Sequence, residues 1–255
     1  PYNISLPPDV IKKNFLYTKI NFLIGWHKST LEIFKKKNIE KIIQKKNTVL
    51  VGGKIEGFHY FENLLKANKK KINKQSNFLN KDYIIASTSG STGKPKPIIL
   101  TQKTKVLRSI YTKNIYNLNS NSVIIASTPL YHTLAQRLAL LSIILGGTLV
   151  IMSGYSNRKW FSEVKKNKVT FSILVASQLE NLINCKNSSL ENFGNLKTIV
   201  ASSSKLHENV RVKISKYKKP NFYEIYGTSE IAAVTNLKLS KNCTKINSVG
   251  KAIQH

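Results

Sequence analysis

An α/β fold, with mainly parallel sheets covered by helices, is expected from two features of the 255-residue chain. From Tyr83 onward, short β-rich runs alternate with helical stretches, the order that parallel strands joined by crossover helices require. Ahead of that rhythm, Lys66–Lys81 is polar and rich in lysine and asparagine. It reads as a solvated connector closing an N-terminal part, residues 1–82, before a core over residues 83–255.

In the N-terminal part, Ser29 is placed to cap a helix running toward Lys46, with Leu31, Phe34, Ile39, Ile42 and Ile43 as its apolar positions. A strand at Thr48–Val51 follows and ends at Gly52 and Gly53. In the core, Tyr83–Ser87 is a strand that breaks into a Ser/Thr/Gly loop, and Thr101–Tyr116 carries Val106, Leu107, Ile110 and Tyr111 at helical spacing. Next come a strand at Val123–Ala126, a turn at Pro129, a helix over Ala135–Leu145 and a strand at Thr148–Met152. Val169–Val175, Leu196–Ala201 and Phe222–Tyr226 supply three more strands, separated by helices at Ser177–Asn184 and His207–Lys216. Ligands bind beyond the carboxyl ends of such strands. The residues after Ile85, Ala126, Val200 and Ile225 are therefore where chemistry is expected.

The 41 Lys+Arg against 12 Asp+Glu give a formal net charge of +29, which in isolation would suggest a polyanion partner. Only Arg108, Arg137, Arg158 and Arg211 are arginines, and the lysines are spread along the chain beside many Ile and Asn. Solvated lysine faces in a compositionally biased chain account for that pattern, and no nucleic-acid partner is expected. Cys185 and Cys243 lack metal-ligand spacing and suit a reducing compartment, the cytoplasm. The apolar run Leu138–Met152 is interrupted by Ser142, Gly146, Gly147 and Thr148 and falls short of the roughly 20 residues of a membrane span. It reads as a helix, a glycine turn and a buried strand. Pro1–Asp9 lacks the basic head and apolar stretch of a signal peptide.

The strand at Tyr83–Ser87 leads into Thr88-Ser89-Gly90-Ser91-Thr92-Gly93-Lys94-Pro95-Lys96. Hydroxyl and amide donors in such a loop can surround phosphate oxygens while lysine neutralises them, and Gly90 and Gly93 permit close backbone approach. A Walker loop has four residues between its glycines and ends in Gly-Lys-Ser/Thr. Here two residues intervene and proline follows Lys94, so this is a different phosphate loop.

Thr88 to Lys96 resembles, position by position, the Ser/Thr-Ser-Gly-Ser/Thr-Thr-Gly-x-Pro-Lys signature of the adenylate-forming enzymes, which include acyl-CoA and aryl-CoA synthetases, peptide-synthetase adenylation domains and luciferases. Tyr226-Gly227-Thr228-Ser229-Glu230 resembles their Tyr-Gly-x-Thr-Glu motif, Pro129-Leu130-Tyr131-His132 the Pro-Leu-aromatic-His segment of the acid:CoA ligases, and Ser248-Val249-Gly250-Lys251 the strand that follows. The resemblance implies that the chain is part of the large N-terminal domain of such an enzyme. It implies activation of a carboxylic acid by ATP and magnesium as an acyl-adenylate, then transfer to coenzyme A. Delivery to a carrier protein and a non-catalytic nucleotide-binding module are the alternatives.

By the same resemblance Thr88, Ser89, Gly90, Ser91, Thr92, Gly93 and Lys96 would hold the β and γ phosphates. Glu230 would ligate magnesium, Ser229 would donate to the α-phosphate, and Tyr226, with Gly227 and Thr228, would lie against the adenine. His132 would line the acyl pocket, with Leu138, Leu140 and Leu141 as a neighbouring apolar wall. No aspartate accompanies His132 to pair with an ammonium group, which shifts the expected substrate toward an uncharged acyl or aryl acid.

Three departures accompany these matches. Where relatives carry Gly-Gly-Ala-Pro-Leu beside the adenine, this chain reads Ala201-Ser202-Ser203-Ser204-Lys205-Leu206, so the backbone of Ser202, Ser203 and Ser204 would have to serve. Pro97 replaces a frequent glycine and removes a donor. The aspartate that grips the ribose and the lysine of the small C-terminal lid domain have no counterpart, since the aspartates are Asp9 and Asp82 alone. A fragment of a longer enzyme, or a degenerate copy, is expected.

Overall fold

The computed structural model describes residues 2–3, 5–35, 39–66, 79–88, 96–185, 193–241, 243 and 247–253. The chain divides into two compact units, residues 1–76 and 77–255.

In the first unit, α1 (Pro8–Thr18) starts with Pro8 in its first turn, where proline's missing N–H is not needed, and Asp9 stands at its positive end. It is followed by β1 (Leu23–Trp26), α2 (His27–Phe34), β2 (Thr48–Val51), β3 (His59–Tyr60) and α3 (Phe61–Lys66). The three strands pair in parallel in the order β1-β2-β3. The helix expected from Ser29 to Lys46 is shorter: α2 stops at Phe34, and a helical turn at Ile39–Ile43 and a 3-10 turn at Lys45–Asn47 follow. Residues 36–38 lie outside the described residues, and Ile39 and Ile43 pack with Ile11, Phe15 and Ile33.

The second unit begins with β4 (Asp82–Thr88) and β5 (Lys96–Thr101), a two-stranded antiparallel ribbon separate from the main sheet. The segment expected to bind phosphate therefore lies between the two strands of an antiparallel pair, not between a strand and a crossover helix. A parallel return needs a dozen or more residues, and fewer than ten lie between Thr88 and Lys96. The chain continues through α4 (Gln102–Tyr116), β6 (Val123–Ala126), α5 (Thr133–Leu145), β7 (Thr148–Ile151), α6 (Asn157–Lys166), β8 (Phe171–Val175), α7 (Ala176–Asn184) and β9 (Thr198–Ser202). It ends with α8 (Glu208–Ser215), β10 (Asn221–Thr228), β11 (Ala232–Leu239) and β12 (Lys251–Ala252).

Among the described residues the main sheet has the order β12-β11-β10-β9-β8-β6-β7, parallel from β10 to β7 and antiparallel at β11 and β12. The three-residue turn between β10 and β11 is too short for a parallel crossover. Side chains alternate across this sheet. Ile124, Ala126, Phe171, Ile173 and Val200 face α5 through Ala135, Leu138 and Leu141. Ile125, Leu174, Ile199 and Ala201 pack on the other side with Trp160 and Val164 of α6, Leu179 of α7 and Ile214 of α8. Thus helices cover both faces.

The strand after α5 is not buried as expected. It is the edge strand β7, and Ile151 is 55% exposed. Among the described residues no helix is long and apolar enough to cross a membrane.

Helix α4 also departs from its apolar pattern. It buries Lys105, Ser109 and Thr112, while Ile110 is exposed. The Ser109 hydroxyl donates to the Lys105 carbonyl and the Thr112 hydroxyl to the Arg108 carbonyl, so these polar groups enter the interior already satisfied.

Candidate functional site

The Tyr-Gly-Thr-Ser-Glu segment spans the end of β10 and the turn into β11: Tyr226, Gly227 and Thr228 close the strand, and Ser229, Glu230 and Ile231 make the turn. The strand register slips between Tyr226 and Gly227, which re-aims the chain as a β-bulge does. A Cβ at Gly227 would lie 1.7 Å from the Ala232 carbonyl oxygen, so only glycine permits the return strand to approach this closely. Tyr226 is 57% exposed.

Two contacts from distant parts of the sequence fix this turn. Arg108 on α4 donates from Nη1 to the Ser229 carbonyl at 3.0 Å and from Nη2 to the Glu230 carbonyl at 2.6 Å. The Thr133 hydroxyl, at the start of α5, is 3.4 Å from the Ser229 hydroxyl. Helix α4 leaves the β4–β5 hairpin directly, and α5 follows Pro129–His132. The structure thereby brings together helix α4, which follows β5, the start of α5 after Pro129–His132, and the Ser229–Glu230 turn.

The other expected site residues are placed as follows. Ser89, Gly90, Ser91, Thr92 and Gly93 lie outside the described residues, as do the side chains of Thr88 and Lys96, whose backbones pair at the hairpin end. Ser202 ends β9, and Ser203 takes a left-handed φ of 78° as the chain leaves the sheet; Ser203 and Ser204 are exposed. Strands β9 and β10 are parallel neighbours, with Ala201 opposite Glu224, so the serines and Tyr226 emerge at the same end of the sheet.

His132 is exposed at the N-terminus of α5, its ring against Tyr131, and partial burial lowers its pKa from the usual histidine value. Leu138 and Leu141 do not form a pocket wall: both are buried in the core under α5.

Beneath the serine segment sits a buried ion pair. Arg211 Nη2 donates to Glu224 Oε1 at 2.6 Å, and the same carboxylate oxygen accepts from the Leu206 N–H at 3.2 Å. Arg211 Nη1 reaches the Ser248 carbonyl at 3.4 Å. The pair ties α8, β10, the chain after Ser204 and the segment before β12 together.

A cleft of about 280 Å³ opens beside Glu230. Its walls are Leu107 and Ile115 of α4 with Ile231 and Ala233, and two guanidinium groups, Arg108 and Arg137, face it. Lys105, one turn of α4 from Arg108 and 4% exposed, donates to Gln136 Oε1 at 3.0 Å. Burial, reinforced by Arg108 and Arg137, pushes the Lys105 ammonium down to about 8 from 10.5.

The sign of the resulting pH dependence follows from proton binding. Between pH 8 and about 10.5 the unfolded chain holds the proton that folded Lys105 has lost, so this group makes stability rise with pH across that window. Urea unfolding at pH 7, 9 and 10 is expected to show this rise, and Lys105→Met is expected to flatten it while raising stability at pH 7 by about 1 kcal/mol.

The described residues contain no group of three His, Cys, Asp or Glu side chains able to hold a metal ion. One exposed carboxylate, Glu230, suits a magnesium ion that takes its remaining ligands from phosphate oxygens and water.

The pattern of the family described as AMP-binding enzyme matches residues 1–255. The chain belongs to this family. Among AMP-binding relatives, the indoleacetate–CoA ligase of Aromatoleum aromaticum is 26% identical over 176 residues, 68% of this chain and 34% of that protein. The 2-succinylbenzoate–CoA ligase of a Geobacillus strain is 24% identical over 170 residues, 66% of this chain and 34% of that protein. The chain thus spans about a third of the length of these curated relatives. The solved o-succinylbenzoate CoA synthetase from Bacillus subtilis, in complex with ATP and magnesium ion, superposes with a TM-score of 0.78 at 18% identity, covering 99% of this chain and 49% of that one. A luciferase-like enzyme from the mealworm Zophobas morio gives 0.82 at 16% identity, over 98% of this chain and 60% of that one. The α/β fold read from the sequence is the one these solved structures share.

Sequence reasoning missed Arg108, Thr133 and Arg137. The scarcity of arginine was the available signal. In a chain that otherwise uses lysine, each of the four arginines is a candidate for a place where a planar fork of donors is used, as it is at Arg108 and Arg211.

Proposed function

We propose that this chain supplies the nucleotide- and acid-binding part of an ATP-dependent acid:CoA ligase. A carboxylate oxygen of the acid attacks the α-phosphorus of ATP, the bond to pyrophosphate breaks, and pyrophosphate leaves; the thiol of coenzyme A then attacks the acyl carbonyl and AMP leaves. The observation that carries the reading is the Arg108 and Thr133 clamp on the Ser229–Glu230 turn, which joins that turn to α4, the helix after β5, and to the start of α5.

In this reading the hydroxyls and amides of Thr88–Gly93, with Lys96, bind the β and γ phosphates. Ser229 donates its hydroxyl to the α-phosphate, where charge builds as the carboxylate approaches. The Tyr226 ring covers the adenine and the backbone of Ser202–Ser204 offers donors at its edge. Glu230 holds magnesium, which supplies charge neutralisation on the phosphate oxygens. His132 stands at the acid's entrance, and the tail of the acid enters the cleft beside Glu230. The two free cysteines suit a cytoplasmic enzyme.

The intact gene product, given ATP, magnesium and a panel of aryl and aliphatic acids, is expected to release pyrophosphate with at least one acid and to form a thioester with free coenzyme A. Pyrophosphate silence across the panel would overturn the reading. Thioester formation only on a phosphopantetheinyl protein would replace coenzyme A by a carrier.

A further inference from the structure

We propose that the Arg137 guanidinium holds a small, weakly hydrated monovalent anion, chloride in ordinary salt, as a resident counter-ion on one wall of the cleft beside Glu230. The ion site stands apart from the acid-activating reading above; only its effect on the acid rests on that reading.

Three cationic side chains come together where α4 and α5 adjoin. Lys105 and Arg108 stand one turn apart on α4, and Arg137 lies on α5. They work against one another: Arg108 and Arg137 both disfavour the Lys105 ammonium, and Arg108 disfavours the charge of Arg137. Two of the three are answered. Lys105 donates to Gln136, and Arg108 spends donors on the Ser229 and Glu230 carbonyls with the Glu230 charge nearby. Arg137 lines the same cleft, yet among the described residues its side chain makes no hydrogen bond and no ion pair. The Tyr116 phenol near it is kept neutral by burial, and the Glu230 carboxylate is exposed to water. Burial and Arg108 push the Arg137 pKa down to about 10, so its charge is disfavoured where it stands until an anion joins it.

The surroundings select the kind of anion. Leu107, Ile115, Ile231 and Ala233 give the cleft apolar walls. Of the hydroxyls that line it, Thr112 donates to the Arg108 carbonyl and Thr104 pairs with the Thr101 hydroxyl. An oxyanion such as phosphate brings several oxygens that need donors, and its higher charge costs more to dehydrate. A halide carries one spherical charge, asks for few directed bonds and sheds its water more cheaply as its radius grows. The guanidinium fork can supply those bonds.

An ion of this size fills only part of a cleft of about 280 Å³ and leaves the rest to the body of an acid. With its counter-ion in place Arg137 shows that body a neutral wall. The uncharged acyl or aryl group expected near His132 then meets no bare cation, and by reciprocity the halide and the acid tighten one another.

Thermal unfolding of the chain in sodium fluoride, chloride and bromide, at one fixed salt concentration and pH, tests the site. Chloride and bromide are expected to raise the melting temperature above its value in fluoride, the strongly hydrated reference, by about 2–4 °C. The general salt effect runs the other way, since strongly hydrated anions favour the folded state. Arg137→Met is expected to abolish the rise, and Arg137→Lys, which keeps the charge without the fork, to retain part of it. Arg158→Met, at an exposed position outside the cleft-lining set, is expected to preserve it, which sets aside the general attraction of a +29 chain for anions. In fluoride Arg137→Met is expected to melt no lower than the parent, because an unmatched charge has been replaced by an apolar side chain.

Chlorine-35 NMR gives a second reading that depends on no variant. The parent is expected to broaden the chloride line, and added bromide to narrow it again by displacement. A melting order that follows the general salt effect, a rise unchanged by Arg137→Met, or a line width that bromide leaves unaltered overturns the proposal. Calorimetric titration with 3-phenylpropanoate reads the effect on the acid: binding is expected to be at least about fivefold tighter in chloride than in fluoride. Equal or weaker binding in chloride overturns the counter-ion role. A halide order that depends on Arg137, with no pyrophosphate released from any acid, sinks the activation reading alone and leaves the ion site standing.

Discussion

Arg211→Met is expected to lower the stability of the chain by about 3–5 kcal/mol, the usual penalty for stripping one partner from a buried ion pair. Arg211 and Glu224 are both buried, their contact is 2.6 Å, and the second oxygen of Glu224 has no hydrogen-bond partner among the described residues. Without the guanidinium the carboxylate keeps only the Leu206 N–H, too little to hold a charge out of water. The double replacement Arg211→Met with Glu224→Met is expected to recover most of the loss, since a well-packed apolar pair carries no desolvation penalty. Urea unfolding at pH 7 on the two single variants and the double variant reads the coupling directly. A single-variant loss under about 1 kcal/mol would show that water reaches the pair. Because the same carboxylate anchors the chain after Ser204, the single variants are also expected to loosen the backbone donors assigned to the adenine.

Glu230→Ala is expected to cut pyrophosphate release by about 10²–10³-fold while shifting the unfolding free energy by no more than about 0.5 kcal/mol. The separation of the two effects follows from how the turn is held. Arg108 grips the main-chain carbonyls of Ser229 and Glu230, so the exposed Glu230 side chain can be removed without releasing the turn. Pyrophosphate release by Glu230→Ala within about threefold of the parent would remove the carboxylate from its proposed role with the metal. A matching loss of stability would recast Glu230 as a structural residue.

The core was readable in outline because its strands are short, apolar and punctuated: Val123–Ala126 agrees with the sequence expectation at both ends, and the helix after Thr101 begins one residue later, capped by the Thr101 hydroxyl. Pairing was less readable. Apolar runs carry no mark of the strand they join, and β5 and β11, which sequence reasoning did not place, appear only in the structure as antiparallel partners of β4 and β10. Helix α6 escaped because Asn157–Lys166 is largely polar, and its hold on the sheet is through Trp160 and Val164, one turn apart. In the site, motif residues could be named from their order. Arg108 and Arg137 could not, because each sits in a helix whose neighbours read as ordinary surface or core, and their meaning depends on a turn about a hundred residues away.

That distance has a consequence for assembly. The Arg108 and Thr133 contacts to the Ser229–Glu230 turn close loops of 121, 122 and 96 residues, with strands β6 to β10 inside the first two and β7 to β10 inside the third. Loops of that size close late, after local helices and neighbouring strands have formed. A ligand recognised by the closed turn thus discriminates finished molecules from half-built ones, and its saturation would count the correctly assembled fraction of a preparation.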